Sequence, residues 1–248
     1  MLDLKADREP VPPKDAATIV LVREGRGGVE VFCVERNRQS RFMGGAVVFP
    51  GGKLDPTDAD EAWAALATPP RTPVAGDAAH ARALAVAACR ETLEEAAILP
   101  VVGGTLTDAD LREMRARVAA GPDVLRALLA ERGLRLDLGA LYPLASYWAF
   151  QSEVLRRYDA VEVQLMPPTH RTLALLAELS TPDEVLAHAE RACLDPICPR
   201  LVKQVEAAGE TLALVLPGDP EHEVPEARVA GGSRYVLRGE QWRSEGAP

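Results

Sequence analysis

Two short stretches constrain this chain most: a helical segment with clustered glutamates, and a diglycine that precedes it. Residues 78–97 are rich in alanine, the best helix former, and Asp77 is placed to cap their amino end. On such a helix Glu91, Glu94 and Glu95 stand at i, i+3 and i+4, so their carboxylates share one face. The opposite side of the helix is an apolar stripe suited to packing against a sheet, made of Cys89, Leu93 and Ala96.

The acidic face has two interpretations. Like charges at this spacing repel by about 0.2–0.5 kcal/mol per pair on an exposed helix. A solvated surface tolerates that repulsion, whereas a bound divalent cation would offset it, because hard cations take carboxylate oxygens. The diglycine of Phe49-Pro50-Gly51-Gly52 is likewise either a tight turn or a place where backbone approaches a ligand. The residues alone leave both interpretations of each stretch open.

The order of these residues resembles the Nudix box, G-x5-E-x7-R-E-U-x-E-E-x-G-U, in which U is aliphatic. The matching residues are Gly52, Arg90, Glu91, Glu94 and Glu95. Two features depart from the pattern. Gly52 and Arg90 are 38 positions apart, whereas the family pattern separates them by fourteen. The isolated Glu and the later Gly of the pattern fall on Asp58 and Ala97.

The segment that ends in the diglycine resembles a second pattern, the motif R-[SA]-x3-R-x3-G-x3-F-P-G-G of Nudix CoA diphosphatases. The matching residues are Arg36, Arg41, Gly45, Phe49, Pro50, Gly51 and Gly52. Asn37 stands where Ser or Ala is usual. One branch of that group carries a long insertion inside the Nudix box, which residues 55–77 resemble, and a helical insertion, which residues 107–133 resemble.

The resemblance implies an α+β fold, an α/β/α sandwich in which helices flank a mixed β-sheet. We expect a flexible leader over residues 1–14 and a Nudix hydrolase domain over 15–192 that contains both insertions. A strand-containing extension follows over 193–248. The inserted loop at 55–77 is expected to bulge outward, so that the two halves of the box still meet.

Hydrophobic periodicity and turn residues predict the local elements. The predicted strands are 17–22, 29–36, 45–49, 140–149, 161–165, 211–216 and 233–237. The predicted helices are 78–97, 107–120, 123–132, 169–179 and one that opens at Thr181.

The resemblance also implies the roles of the site residues. Glu91, Glu94 and Glu95 would hold Mg²⁺ or Mn²⁺, and Gly51 and Gly52 would let the backbone approach the metal or the diphosphate. The catalytic set would be Glu91 and Glu94 together with Arg90, which pairs with box carboxylates and orients the helix.

Two further roles are open. Arg36 and Arg41 would contact the phosphates of coenzyme A, or else form an exposed pair between a strand and a loop. The general base is either Glu91 or an acid beyond the box. The candidates beyond the box, each of them otherwise a surface acid or a cap, are Glu153, Asp159 and Glu162.

Composition narrows the partners and the compartment. The formal net charge of −9 argues against nucleic acid, because binding to a phosphate backbone needs a basic surface. The chain has no apolar run near eighteen residues and no secretory signal, so a soluble cytoplasmic protein without a membrane partner is expected. Its four cysteines lack C-x-x-C spacing, and Cys33 and Cys89, which have apolar neighbours in a predicted strand and helix, are expected to be buried free thiols. A homodimer is expected from the base rate for oligomers alone.

Three functions follow from these observations. The first is metal-dependent hydrolysis of coenzyme A or acyl-CoA to 3′,5′-ADP and (acyl-)phosphopantetheine. The second is hydrolysis of another nucleoside diphosphate derivative, such as a dinucleotide or a nucleotide sugar. The third is a Nudix-fold nucleotide-binding module without turnover, which the departures at Asp58 and Ala97 would support.

Overall fold

The computed structural model describes most of the chain. The described residues are 14–26, 28–37, 39, 44–71, 77–121, 123–144, 158–159, 164–192, 194–195, 197–207 and 209–247. The helices are α1 (Trp63–Leu66), α2 (Ala78–Ala96), α3 (Asp108–Val118), α4 (Val124–Glu131), α5 (Pro167–Leu176) and α6 (Pro182–Ala189). The strands of the first part are β1 (Ala16–Thr18), β2 (Val22–Gly25), β3 (Gly28–Val31), β4 (Val34–Glu35), β5 (Val47–Val48), β6 (Gly51–Lys53), β7 (Val101–Val102) and β8 (Arg135–Leu136). The last strands are β9 (Arg200–Glu206), β10 (Gly209–Val215), β11 (Arg234–Arg238) and β12 (Gln241–Glu245). The predicted α+β class is confirmed.

The first two predicted strands are each divided, because the extended chain changes its hydrogen-bonding partner. β1 pairs with β6, whereas β2 forms an antiparallel hairpin with β3. Between them the amide of Ile19 donates to the carbonyl of Pro50 at 2.9 Å. The hairpin closes at Gly25, which is paired with Gly28.

The diglycine is part of a strand, so the first of its two interpretations, a tight turn, was wrong. Gly51 and Gly52 lie in β6, opposite Thr18 and Ala17 of β1. A Cβ atom on Gly51 would lie 2.5 Å from the carbonyl oxygen of Ala17. Strand pairing this close requires glycine, so the residue that suggested a turn is needed here for close backbone approach.

The largest core cluster lies under α2 and includes buried side chains from both insertions. Its fully buried members include Cys89 and Leu93 of α2 and Leu128 of α4. The described part of the first insertion packs inward, with Trp63 only 2% exposed, so the expectation that this segment bulges outward was wrong. Burial of a large apolar ring outweighs solvation of the polar residues around it.

Other contacts also hold the first insertion against the helical insertion. Ala67 forms a parallel β-bridge with Leu136 of β8, and Asp60 accepts a hydrogen bond from Arg126 of α4. The predicted helices at 107–120 and 123–132 correspond to α3 and α4. The two insertions therefore form a common structure beside α2.

The C-terminal strands form an antiparallel sheet of their own, in the order β12-β11-β10-β9. The predicted strands at 211–216 and 233–237 correspond to β10 and β11, whereas β9 and β12 were not predicted. This sheet rests on α5: Arg171 donates to the carbonyl of Gly232 at 2.6 Å, and His170 Nδ1 lies 3.1 Å from the hydroxyl of Tyr235. The proposed domain boundary near residue 193 stays a prediction.

Some sequence predictions fall on residues that the structure does not describe. The leader over 1–13, most of the predicted strand at 140–149 and residues 161–163 of the next one are among these. The described residues 138–140 form a 3-10 helix, and Gln164 forms a parallel bridge with Ala46. Within the described ranges, no helix is both long enough and apolar enough to cross a membrane.

Candidate active site

Both ends of helix α2 are capped, by Asp77 at its start and by Ala97 at its end. The Asp77 side chain accepts a hydrogen bond from the amide of His80 at 2.7 Å, as predicted. At the other end Ala97 adopts a left-handed conformation, with φ 53° and ψ 42°, and its amide donates to the carbonyl of Leu93 at 3.0 Å. Glycine adopts this conformation at least cost, which accounts physically for the glycine in the family pattern at this position.

The structure brings the diglycine and the acidic helix face together. The amide of Gly51 donates to Glu95 Oε2 at 3.1 Å, across 44 positions of sequence. A Cβ atom on Gly52 would lie 2.4 Å from the Glu91 carboxylate. The diglycine therefore provides a backbone surface against which two of the three carboxylates rest.

Arg90 organises the carboxylates from the buried side. Its Nη1 donates to Glu91 Oε1 at 3.0 Å and to Glu94 Oε1 at 3.1 Å. Its Nη2 donates to the carbonyl of Lys53 at 3.1 Å and to Asp58 Oδ2 at 2.9 Å, while its Nε donates to Asp58 Oδ1 at 3.0 Å. All five N–H donors of the guanidinium are thus in use, which fixes its orientation.

Asp58 is a site residue whose role the sequence did not reveal. Its side chain is 1% exposed and forms a two-pronged ion pair with Arg90. The amide of Asp55 also donates to Asp58 Oδ2 at 2.9 Å, within a capping box at the start of a 3-10 helix. The sequence feature that could have indicated this role is the position of Asp58, six residues after Gly52, where the family pattern has its isolated Glu.

Electrostatics follow from this burial. The hydrogen bonds and charge of Asp58, aided by Glu94 and Glu91, raise the pKa of Arg90 above its usual value, although burial opposes the charged form. Burial raises the pKa of Glu91, and the charges of Glu94 and Glu95 add to that effect, whereas Arg90 opposes it. Glu91 is therefore a better proton acceptor than an exposed glutamate.

The donor set is chemically suited to a hard divalent cation. Glu91 and Glu94 each direct one carboxylate oxygen to Arg90, and Glu95 directs one to the amide of Gly51. Each of these bonds uses a single oxygen, and carboxylate oxygens are what Mg²⁺ and Mn²⁺ prefer. Among the described residues, no three His, Cys, Asp or Glu side chains already converge as a metal site.

A cavity of 670 Å³ opens in front of the acidic face. Its other wall is α3, which contributes two arginines. The lining residues are Glu91, Glu94, Glu95, Arg112, Arg115, Ala116 and Ala119. The predictions from sequence did not include the two arginines.

The two arginines that were predicted to bind substrate are not in this wall. Arg36 follows β4, and its backbone pairs with Ala46 and Gly45 on the other side of a hairpin. Its Nε is buried and makes no hydrogen bond within the described residues. Arg41 lies outside the described residues. The structure thus leaves both of these roles as predictions.

Of the three alternative bases beyond the box, the one that the structure describes does not line the cavity. Asp159 forms an ion pair with Arg243 of β12 at 2.7 Å and is absent from the cavity lining. Glu153 and Glu162 lie outside the described residues. Glu91 is the only one of the four candidates that lines the cavity in the described part of the chain.

Two comparisons with known proteins bear on the kind of protein that this chain resembles. No protein-family model matches the chain. The crystal structure of a NUDIX hydrolase from Alicyclobacillus acidocaldarius is similar, with a TM-score of 0.59 and 29% sequence identity. The similarity covers 70% of this chain and 95% of that chain.

Proposed function

We propose that this chain, a Nudix pyrophosphohydrolase by its fold and by its similarity to that solved hydrolase, cleaves the diphosphate of coenzyme A or acyl-CoA. The products would be 3′,5′-ADP and (acyl-)phosphopantetheine. One observation carries the proposal: Glu91, Glu94 and Glu95 share one cavity wall, where Arg90 holds two of them and the diglycine supports two.

Metal binding is the first part of the proposal. Glu91, Glu94 and Glu95 would hold Mg²⁺ or Mn²⁺ through oxygens that the internal hydrogen bonds do not use. When bound, the cation supplies positive charge against phosphate oxygens and makes a water more acidic. Phosphoryl transfer depends mainly on positioning and on neutralisation of charge, so this is the chemistry that a carboxylate cluster is suited to provide.

The protein's own residues would position the reactants. Arg90 keeps Glu91 and Glu94 at fixed spacing, because all of its donors are committed. Gly52 leaves room for the Glu91 carboxylate close to the β6 backbone. These constraints reduce the number of conformations that the carboxylates must lose before reaction.

In the reaction, the oxygen of water would form a bond to one phosphorus while the bond from that phosphorus to the bridging oxygen breaks. One water is consumed, and each product keeps one of the two phosphates of the cleaved diphosphate, so that 3′,5′-ADP carries this phosphate in addition to its 3′-phosphate. Glu91 is the base that we propose, because it is the candidate that lines the cavity beside the other two carboxylates in the described part of the chain.

The choice of coenzyme A rests on the motif that ends in Gly52. Arg36 belongs to that motif, and its buried Nε has no hydrogen-bond partner among the described residues. A charge-assisted hydrogen bond to phosphate is the partner that such a guanidinium prefers. The motif therefore supports an adenosine 3′-phosphate as a recognised group.

A different nucleoside diphosphate derivative is the second candidate. It is favoured by the position of Arg36, which does not line the cavity beside the three glutamates. A binding module without turnover receives less support. Its basis in the sequence was Asp58 and Ala97, and these residues respectively pair with Arg90 and close α2.

The test is a panel of diphosphate substrates assayed with Mg²⁺ and with Mn²⁺. We expect metal-dependent release of 3′,5′-ADP from coenzyme A. Glu94→Gln should abolish it, because the amide keeps the shape of the side chain and removes the charge. Glu178→Gln, an exposed glutamate at the end of α5, is the matched control and should retain full activity.

Other outcomes select other functions. Hydrolysis of a dinucleotide or a nucleotide sugar, with coenzyme A untouched, would select the second candidate. Nucleotide binding without turnover in either metal would indicate the binding module. Full activity in Glu94→Gln would contradict the assignment of the glutamates.

A further inference from the structure

The wall of the cavity that faces the glutamates is one face of α3. Arg112, Arg115, Ala116 and Ala119 stand at i, i+3, i+4 and i+7, so they project from the same side of the helix. The alanines leave space between the two arginines and α2. This face therefore presents guanidinium groups to a cavity whose other wall is acidic.

The orientation of α3 is fixed by its other side. Met114 is fully buried and Val118 is 2% exposed, and both belong to the core cluster under α2. The helix begins with a capping box in which Thr107 and Asp110 hydrogen-bond to each other's backbone amides. Rotation of α3 would expose these apolar residues, so its arginine face stays toward the cavity.

The two arginines differ in what already holds them. Arg115 Nε donates to the carbonyl of Glu94 at 2.7 Å. That carbonyl lies in the last turn of α2, where carbonyls lack partners within the helix, and Arg115 thus caps the helix that carries the glutamates. Arg115 has a structural partner and serves to position α2.

Arg112 has no comparable anchor within the described part of the chain. Its side chain is 75% exposed, and its Nη2 lies 3.7 Å from Asp108 Oδ2, whose side chain is 89% exposed. An ion pair this exposed contributes about 0–1 kcal/mol and is easily exchanged for another partner. The guanidinium of Arg112 is therefore free to bind a ligand in the cavity.

Charge indicates the kind of ligand. Among the described residues, no ion pair joins Arg112 or Arg115 to Glu91, Glu94 or Glu95, although all five line one cavity. A ligand that spans the cavity would meet carboxylates on one side and guanidinium on the other. A diphosphate that carries a divalent cation has both charges, and Arg binds phosphate oxygens in a two-pronged geometry.

We infer that the helical insertion supplies Arg112 as a substrate-binding residue that contacts a phosphate of the diphosphate from across the cavity. This inference rests on the proposed function, because it needs a diphosphate at the glutamates. The helical insertion would thus contribute to substrate affinity through α3, whereas the sequence had suggested Arg36 and Arg41 for that role.

The experiment compares Arg112→Ala and Arg112→Lys with Arg117→Ala. Arg117 lies on the same helix, pairs with Glu131 and is outside the cavity lining, so it is a matched control. The first readout is the Kd of the non-hydrolysable α,β-methylene analogue of ADP with Mg²⁺, measured by calorimetry. The second is the KM and kcat for whichever diphosphate the wild type hydrolyses.

For Arg112→Ala we expect Kd and KM to rise about 10- to 100-fold, as for loss of a charged hydrogen bond, with kcat within about twofold. Arg112→Lys should recover part of the affinity, because the charge returns without the two-pronged geometry. Arg117→Ala should match the wild type. Unfolding midpoints would verify that each variant is folded.

Two results would overturn the inference. If the wild type hydrolyses a diphosphate and Arg112→Ala keeps its Kd and KM, Arg112 does not contact substrate and the proposed function stands. If Arg112→Ala lowers kcat alone, the residue acts through the structure of the site. Failure of the wild type to bind or hydrolyse any diphosphate would reject the proposed function and this inference with it.

Discussion

The ion pair between Asp58 and Arg90 gives the sharpest test of how the site is built. Asp58→Asn keeps the shape of the side chain but removes its charge. Arg90 Nε and Nη2 both donate to Asp58, and the amide of asparagine can accept at only one of its two atoms. The variant therefore leaves one buried donor without a partner and one positive charge less compensated.

The magnitude follows from the geometry. Removal of one partner of a buried ion pair costs about 3–5 kcal/mol. Arg90 keeps two charged partners on Nη1, Glu91 and Glu94, so we expect a loss near the lower end, about 3 kcal/mol. For a domain of this size that corresponds to a Tm about 6–12 °C lower.

The assay is urea unfolding of Asp58→Asn beside Asp60→Asn as a control. Asp60 comes from the same inserted segment, but its ion pair with Arg126 has a half-exposed carboxylate. Exposed pairs contribute about 0–1 kcal/mol, so this control should change little. Hydrolysis should also fall in Asp58→Asn at a temperature where the variant is folded, because Arg90 no longer orients Glu91 and Glu94.

A loss of stability below about 1 kcal/mol in Asp58→Asn would refute this reasoning, since it would mean that the buried pair is not retained in solution. Normal hydrolysis by a folded but destabilised variant would show instead that Arg90 stabilises the fold without orienting the carboxylates.

Three further predictions concern other parts of the structure. Ala97→Gly should raise the free energy of unfolding by about 1 kcal/mol, because Ala97 has φ 53°, and an unchanged urea midpoint would contradict this. Gly52→Ala should fold but lose hydrolysis, since the three atoms nearest to the added Cβ all belong to the Glu91 side chain. In Gly51→Ala the added Cβ meets the backbone of Ala17 and Thr18, so this variant should also lose stability, measured by thermal unfolding. Burial lowers the pKa of His170 below 6.5, so the unfolded state binds more protons and stability falls as the pH drops through and below that value. In His170→Gln the unfolding free energy should differ less between about pH 7.5 and about pH 5 than it does in the wild type. If the difference is unchanged, groups other than His170 cause the pH dependence of stability.

The sequence by itself determined the features that depend on residues close together in the chain. The period of the helix placed Glu91, Glu94 and Glu95 on one face, and Asp77 and the alanines set the start of α2. The capping residues and apolar spacing of α3 and α4 likewise defined those helices. These signals are local, because a helix satisfies its backbone hydrogen bonds within one segment.

Only the tertiary structure decided which distant residues meet. The sequence left the diglycine open between a tight turn and a place of close backbone approach. In the structure it pairs with β1, because strand partners come from distant parts of the chain and leave little trace in local sequence. In the sequence Asp58 is only a departure from the family pattern, whereas in the structure it forms a buried ion pair with Arg90. Arg112 resembled any other surface arginine, and only the packing of α3 beside α2 brought it to the cavity. Contacts of this kind depend on the relative positions of whole elements, which the burial of apolar surface determines collectively.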